Sequence, residues 1–334
     1  MNRLMLVLLS MCCIHVAHIA HAASPTIADD RYIAEAIARN AIIWDVRPAE
    51  AYAAGHIAGS VNIGDAPRVL RDANTEDFIA TDRIEKVFGA AGLDPKRKII
   101  VYGSRGTWMP YFGLYTIRYF GGANVRVYHE GIEGWTAAGH ATSREPPTTA
   151  ANVLKLEISP SVAITTSEVV ARLDDPDVQI IDARTPQEFD GQDIRAIRGG
   201  HIPGAVNIPY EQNWMDPETP AKLSRKQVTS NAGMSLKSVV DLKRLYARFD
   251  PNKETIVYCQ SGARASETAG VLQELGFTKV KVYDSSWLGY GNTLDAPANN
   301  VTFFNVGLLT QRLSTLQERV NQLEKELAES KARE

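Results

Sequence analysis

Two α/β units in tandem, each a mainly parallel sheet flanked by helices, with a coiled-coil-like helix behind them, are predicted by three features of the sequence. The first is an internal repeat. In one segment the strand-like run Ala41-Ile42-Ile43-Trp44 ends in Asp45-Val46-Arg47, followed by Glu50-Ala51-Tyr52 and Gly55-His56-Ile57-Ala58-Gly59-Ser60-Val61-Asn62. In the other, Gln179-Ile180-Ile181 ends in Asp182-Ala183-Arg184, followed by Glu188-Phe189 and Gly200-His201-Ile202-Pro203-Gly204-Ala205-Val206-Asn207. The second feature is a pair of short runs, 98–102 and 254–258, whose apolar stretches carry no internal charge and lead into glycine-containing loops, as buried strands of a parallel sheet do. The third is a change of pattern after Pro297: Val306, Leu309, Leu313, Leu316, Val320, Leu323 and Leu327 recur at alternating spacings of three and four.

Taken in order, residues 1–22 have the form of a secretory leader. Arg3 supplies a positive start, Leu4 to Met11 are nearly all apolar, and Ala20-His21-Ala22 offers small residues for cleavage before Ala23 or Ser24. An uncleaved anchor is the alternative, but His15, His18 and His21 interrupt the apolar run well short of the ~20 residues a span requires. Cys12 and Cys13 suggest a lipidated cysteine, against which stands the bulk of Met11 before them. The expected location is exported, periplasmic or secreted, with no membrane span once the leader is cut. The first unit is expected over 25–145 and a linker containing Pro146-Pro147-Thr148-Thr149 over 146–160; the second unit follows over 161–300 and the heptad helix over 306–331. With Val306 as an a position, Arg319 and Glu326 fall at g and Glu324 and Lys331 at the following e, so two parallel copies would oppose unlike charges. That predicts a homo-oligomer through 306–331; a helix packed on its own chain is the alternative.

Composition narrows the function. With 334 residues, 44% hydrophobic and 22% charged, and 36 basic against 39 acidic side chains, the chain is ordinary globular material. Collagen-like and disordered readings are excluded, and no broad cationic surface is available for nucleic acid. Three cysteines cannot build a disulfide framework, and loss of the leader leaves Cys259 alone. The seven histidines are scattered, no Cys/His pair has ligand spacing, and no dinucleotide or phosphate-loop glycine pattern occurs, so neither metal nor cofactor is expected.

Cys259 is the candidate nucleophile. It ends a buried strand and is followed by Gln260-Ser261-Gly262-Ala263-Arg264, after which Ala265 to Leu275 has helical character. A thiol placed there faces backbone N–H groups and the positive end of a helix, both of which stabilise negative charge on sulfur. Gly262 lets the loop curl, and Arg264 adds a cation that could orient an anionic substrate.

At these residues the chain resembles the rhodanese family of sulfurtransferases in its tandem two-domain form, over roughly residues 30–297. The resemblance rests on Asp182-Ala183-Arg184, on Gly200 through Pro209, on the Cys259 loop, and on Val282-Tyr283-Asp284-Ser285-Ser286-Trp287 continuing to Gly291-Asn292. It implies two rhodanese-like domains, of which the amino-terminal one is usually inactive. Cys259 would take sulfane sulfur from a small anionic donor, thiosulfate or 3-mercaptopyruvate, as a persulfide and pass it to a thiol or cyanide acceptor. Gly103 stands where the first half would need its cysteine, and no base activates Ser104 in its place.

The substrate-binding set expected around Cys259 is Gln260, Ser261, Gly262, Ala263 and Arg264 of the loop, with Arg198 and Trp287 from outside it. Gln260 and Ser261 match neither the basic pair typical of thiosulfate-preferring members nor the pattern of mercaptopyruvate ones, and Arg264 stands where threonine is usual. Glu188 occupies a stretch where relatives often place a substrate-binding arginine, a charge that Arg195 or Arg198 would then supply. Asp182, Arg184 and His201 are supporting residues. His201 recurs as His56 in the half without a cysteine, which points to a service to the fold, with hydrogen bonding of the turn as the simplest form; Asp182 recurs as Asp45, and the resemblance places it near the catalytic pocket, where a supporting role is open to it.

Two other functions fit part of this pattern. A cysteine-dependent phosphatase also joins cysteine, anion-binding loop and arginine, but needs five residues between Cys and Arg where this loop has four. A non-catalytic sulfur carrier that recruits a partner through its tail would load sulfur without turning over.

Overall fold

The computed structural model describes residues 25–331, so the segment expected as a leader, with Cys12 and Cys13, lies outside the described residues. The first domain is built on a parallel sheet in the order Val61–Asn62, Ile42–Asp45, Ile99–Tyr102, Val125–Tyr128. The second repeats it as Val206–Asn207, Val178–Asp182, Glu254–Tyr258, Val280–Tyr283, and adds Ala163–Ile164 at the edge. In the first domain that edge shrinks to one parallel bridge, Ile27 with Val127. The repeat extends to register, since Asp45 stands beside Tyr102 and Asp182 beside Tyr258. The central strands are buried on both faces, which is why their residues carry no polar alternation.

The two sheets share one core. Helix Met109–Tyr119, which follows the loop around Gly103, packs against helix Ala263–Glu274, which follows the Cys259 loop, and Tyr111, Phe112 and Leu114 join Ala265, Ala269 and Leu272 in a single buried cluster. Burying apolar area at roughly 25 cal/mol per Å² couples the domains far more strongly than a linker would. Polar clamps set the angle: the Glu274 carboxylate accepts from the N–H groups of Thr26 at 2.6 Å and Ile27 at 2.9 Å, and Arg118 donates to Gln273.

The segment expected as a linker has no regular structure between Ser143 and Ala163, yet it is tied down. Asn152 donates to the Gly89 carbonyl at 2.9 Å, Leu156 to Glu85 at 3.0 Å and Ser159 to the Tyr119 carbonyl at 2.7 Å, so the stretch after its prolines runs as an irregular strap along the first domain. Past the second domain, Asn299–Phe303 pairs antiparallel with Arg198–His201, a strand the local pattern did not announce. Helix Val306–Lys331 follows, capped by Asn305, whose side chain accepts from the Leu308 N–H at 2.9 Å; every described residue of it is exposed.

Candidate active site

Strand Glu254–Tyr258 delivers Cys259 to the carboxyl end of the second sheet, where its side chain is 1% exposed at the base of a cavity of about 410 Å³. The loop beyond it is held from behind by helix Ser286–Asn292. Ser286 sits at φ +47°, and its Oγ accepts from the N–H of Cys259 at 3.0 Å and of Gly262 at 2.9 Å while donating to the Tyr283 carbonyl at 2.6 Å. The carbonyls of Cys259 and Gln260 accept from the N–H groups of Trp287 at 3.0 Å and Leu288 at 2.9 Å. In a trans peptide the N–H points away from its carbonyl, so the N–H groups of Gln260 and Ser261 are turned to the opposite, cavity side. Together with Ala263 and Arg264 in the first turn of helix Ala263–Glu274, these N–H groups have no acceptor among the described residues. The result is a nest of donors around the sulfur, with the positive end of a 12-residue helix behind it.

Gly262 makes the curl. Its φ is +76°, and a Cβ there would lie 2.5 Å from the Asp284 carboxylate and 2.8 Å from the Asp284 carbonyl, so no other residue fits without moving the loop.

The expected roles of the surrounding residues divide. Gln260, Ser261, Ala263 and Arg264 line the cavity, and Arg195 joins them. Arg198 does not: its Nη2 donates to the carbonyls of Thr293 at 2.8 Å and Ala296 at 2.7 Å, closing the end of helix Ser286–Asn292. Of the two arginines weighed for the donor's charge, the cavity holds Arg195, and the expectation for Arg198 is corrected, because its guanidinium is buried behind the loop, turned to backbone carbonyls, and lines no part of the Cys259 cavity. Trp287 is corrected likewise. Its ring is 1% exposed behind the loop, packed on Tyr290 and under the Arg184 guanidinium, and its Nε1 donates to the Arg198 carbonyl at 2.9 Å.

Asp182, Arg184 and His201 also stand behind the loop. Asp182 accepts from Arg184 at 2.6 and 3.0 Å, Arg184 donates on to the Gly200 carbonyl at 2.7 Å, and His201 stacks on Phe189 while Nδ1 meets the Phe189 carbonyl at 2.9 Å. Asp45, Arg47 and His56 repeat these contacts in the half without a cysteine. A device present in both halves serves the turn.

The two departures, Glu188 and Arg264, meet each other. Arg264 donates to both Glu188 oxygens at 2.7 Å, Arg195 adds a contact at 3.2 Å, and Glu188 is 2% exposed in its side chain. Burial pushes the Glu188 carboxyl up, but hydrogen bonding and attraction to Arg264 overcome it and hold the group at about 2. Burial likewise opposes the charge on Arg264, and the bonds to Glu188 with the neighbouring Cys259 and Glu211 reverse that, so the guanidinium stays charged. Part of the field that Arg264 would offer an anion is thus cancelled within the pair. Glu211, on the cavity wall, is raised by burial.

The far wall comes from the first domain, which sequence reasoning missed at the level of residues. Pro67, Arg71, Glu76 and Trp108 line the same cavity. Arg71 donates to the Ser261 carbonyl at 2.8 Å and pairs with Asp284 at 2.5 Å, with its guanidinium over the Phe112 ring. Positions almost 200 residues apart share no periodicity, so nothing local announces this contact. A reciprocal contact closes the first domain's own loop. Gly106, at φ +68°, lies against Met234 of the second domain, where a Cβ would come within 2.2 Å, and His129 meets the Met234 carbonyl at 2.8 Å. The loop around Gly103 is therefore covered, and the Cys259 loop is the one left open. A larger cavity of about 900 Å³ lies between the domains on the other side of Asp284, but no residue of the Cys259 loop lines it.

A family model described as rhodanese-like domain matches residues 29–138 and again 165–293. The chain belongs to the rhodanese family, as a tandem member. Relatives of rhodanese type include the thiosulfate sulfurtransferase of Corynebacterium glutamicum, 32% identical over 74% of this chain and 80% of that protein, and a putative thiosulfate sulfurtransferase of Saccharopolyspora erythraea, 31% identical over 75% and 86%. Among solved structures, the anaerobic ergothioneine biosynthesis enzyme from Chlorobium limicola in complex with trimethyl histidine shares the rhodanese fold at a TM-score of 0.68 and 20% identity, over 82% of this chain and 69% of that one.

Proposed function

We propose that this rhodanese-type sulfurtransferase moves sulfane sulfur from thiosulfate or 3-mercaptopyruvate to cyanide or a thiol through a persulfide on Cys259, and that it does so after export, its leader removed. The observation that carries the reading is the placement of Cys259: the one cysteine of the described residues, at the base of an open polar cavity, within a ring of unpaired N–H donors. The family's enzyme class and the names of the relatives support the sulfur chemistry.

In the first step the Cys259 thiolate attacks the outer sulfur of thiosulfate. The S–S bond breaks, its electron pair leaves with sulfite, and the sulfane sulfur stays on Cys259 as a persulfide. With 3-mercaptopyruvate the C–S bond breaks instead; the pair goes to carbon and a proton from solvent completes pyruvate. The N–H groups of Gln260, Ser261, Ala263 and Arg264 hold the persulfide anion, a contribution of about 3 kcal/mol for each well-aimed donor in comparable sites. In the second step the acceptor attacks the outer sulfur and Cys259 leaves as the thiolate, ready for another turn. A cavity of about 410 Å³ has room for a small donor with its acceptor.

Mass spectrometry of the protein after exposure to thiosulfate should show one added sulfur, on Cys259, and its loss on addition of cyanide. Cys259→Ser should abolish both the adduct and steady-state thiocyanate formation. Turnover retained in that variant overturns the reading, and an adduct that forms but never discharges assigns a carrier instead.

A further inference from the structure

Helix Val306–Lys331 is 26 residues long, about 39 Å, and reaches away from both domains with every residue exposed. Its seven heptad side chains, Val306, Leu309, Leu313, Leu316, Val320, Leu323 and Leu327, retain 38–66% of their surface in water. An apolar stripe of that length on an unsupported helix is not what a monomer leaves uncovered, because isolated helices are marginal in water and draw their stability from a packed face. The helix is joined to the catalytic domain by the strand pair Asn299–Phe303 with Arg198–His201, so whatever binds it is held beside the catalytic domain.

We infer that the occupant of this stripe is the same helix of a second copy, in a parallel, in-register, two-stranded coiled coil. Three features select it. Leucine fills the d positions of the first three heptads (Leu309, Leu316, Leu323) and β-branched valine alternates with leucine at a (Val306, Leu313, Val320, Leu327), a composition suited to two strands. From Val306 to Leu327 no a or d position is polar, and Ser330 falls at d only in the last turn. In the parallel register each g residue faces the e residue five positions on in the other chain: Arg319 meets Glu324 and Glu326 meets Lys331, and symmetry doubles both pairs. Of the antiparallel registers with comparable apolar overlap, one sets Arg319 against Arg312 of the second copy and the other sets Arg319 against Arg319 beside Arg312 opposite Glu326, so only the parallel register is free of a like-charge contact. The strands then leave the two catalytic domains at the same end of the rod, with both Cys259 cavities outside the contact.

The test is the mass of the purified protein by sedimentation and light scattering at micromolar concentration. Two chains are expected, falling to one in Leu316→Asp with Leu323→Asp, while sulfur transfer from thiosulfate to cyanide and the domain melting transition stay as in the parent. Glu324→Lys should weaken association by about tenfold, and adding Arg319→Glu to it should restore the affinity. Leu327→Cys should give a diamide-induced disulfide between identical positions, which an antiparallel pair would keep apart. A one-chain mass for the parent, a dimer that survives Leu316→Asp with Leu323→Asp, or a dimer that Leu327→Cys cannot cross-link overturns the inference.

Discussion

Substituting Glu188 with glutamine separates donor binding from the fold. Glutamine keeps the shape, can still accept from the Thr185 N–H as the capping box requires, and retains one acceptor for Arg264. What disappears is one negative charge, 2.7 Å from a guanidinium that lines the Cys259 cavity. For an anion seated about 7 Å from that carboxylate, with an effective dielectric constant near 20, the lost repulsion is about 2.4 kcal/mol per donor charge. Screening in an open cavity reduces it, so KM for thiosulfate is expected to fall about tenfold, a change of about 1.4 kcal/mol, with kcat within a few-fold of the parent. The gain should shrink as ionic strength rises. Leaving Arg264 short of its partner lowers the melting temperature, which circular dichroism would register separately from the kinetics. Steady-state thiocyanate formation over a range of thiosulfate gives KM. A KM that stays put or rises in a folded Glu188→Gln protein refutes the idea that the pair restrains Arg264 as a donor-binding charge.

Three other outcomes follow from the same contacts. Glu211 is raised by burial on the cavity wall, so KM for thiosulfate should fall as pH drops through its elevated value and the carboxylate loses its charge, and Glu211→Gln should flatten that dependence. Glu267 is fully buried, bonded to Trp214 at 2.8 Å and raised well above its ordinary value by burial; its stability contribution is present below the unfolded value near 4.5 and is lost as pH rises towards the folded one. Glu267→Gln should therefore melt about as the parent does at pH 4 and several degrees higher at pH 8, measured by calorimetry. Arg71→Ala removes the contact to the Ser261 carbonyl and leaves Asp284 buried without its cation, a loss of roughly 3–5 kcal/mol in such pairs, and should cut kcat by more than KM rises. Arg71→Lys should restore stability in part, and a kcat untouched by Arg71→Ala would show that the first domain only walls the cavity.

The sheet strands of both domains were legible because a strand buried on two faces must be a short apolar run, and 98–102 and 254–258 have no other reading in a parallel sheet. The heptad helix was legible for the same reason of period, and its bounds fall at Val306 and Lys331. The strand Asn299–Phe303 was not. It is exposed along its whole length and holds by pairing with Arg198–His201, a partner that no local pattern names. Among site residues, the Cys259 loop was visible as a strand-to-helix turn with glycine at the one left-handed position. Arg198 and Trp287 were drawn towards the substrate by their residue types and their nearness in sequence. Arg198 Nη2 and Trp287 Nε1 are turned to carbonyls behind the loop, and side-chain direction is a matter of packing that spacing does not reveal.

Sequence pattern alone therefore accounts for two repeated α/β domains, a single candidate thiol, a first half with Gly103 at the matching position and an apolar stripe on the tail. Each depends on covalent order and on the period of neighbouring residues. Tertiary structure decided which charges face that thiol. It paired Glu188 with Arg264, brought Arg71 and Trp108 across from the first domain, and covered Gly106 with Met234 while leaving the Cys259 cavity open. Those outcomes depend on how two cores pack against each other. Such contacts join residues far apart in the chain, where position in the sequence carries no information about distance.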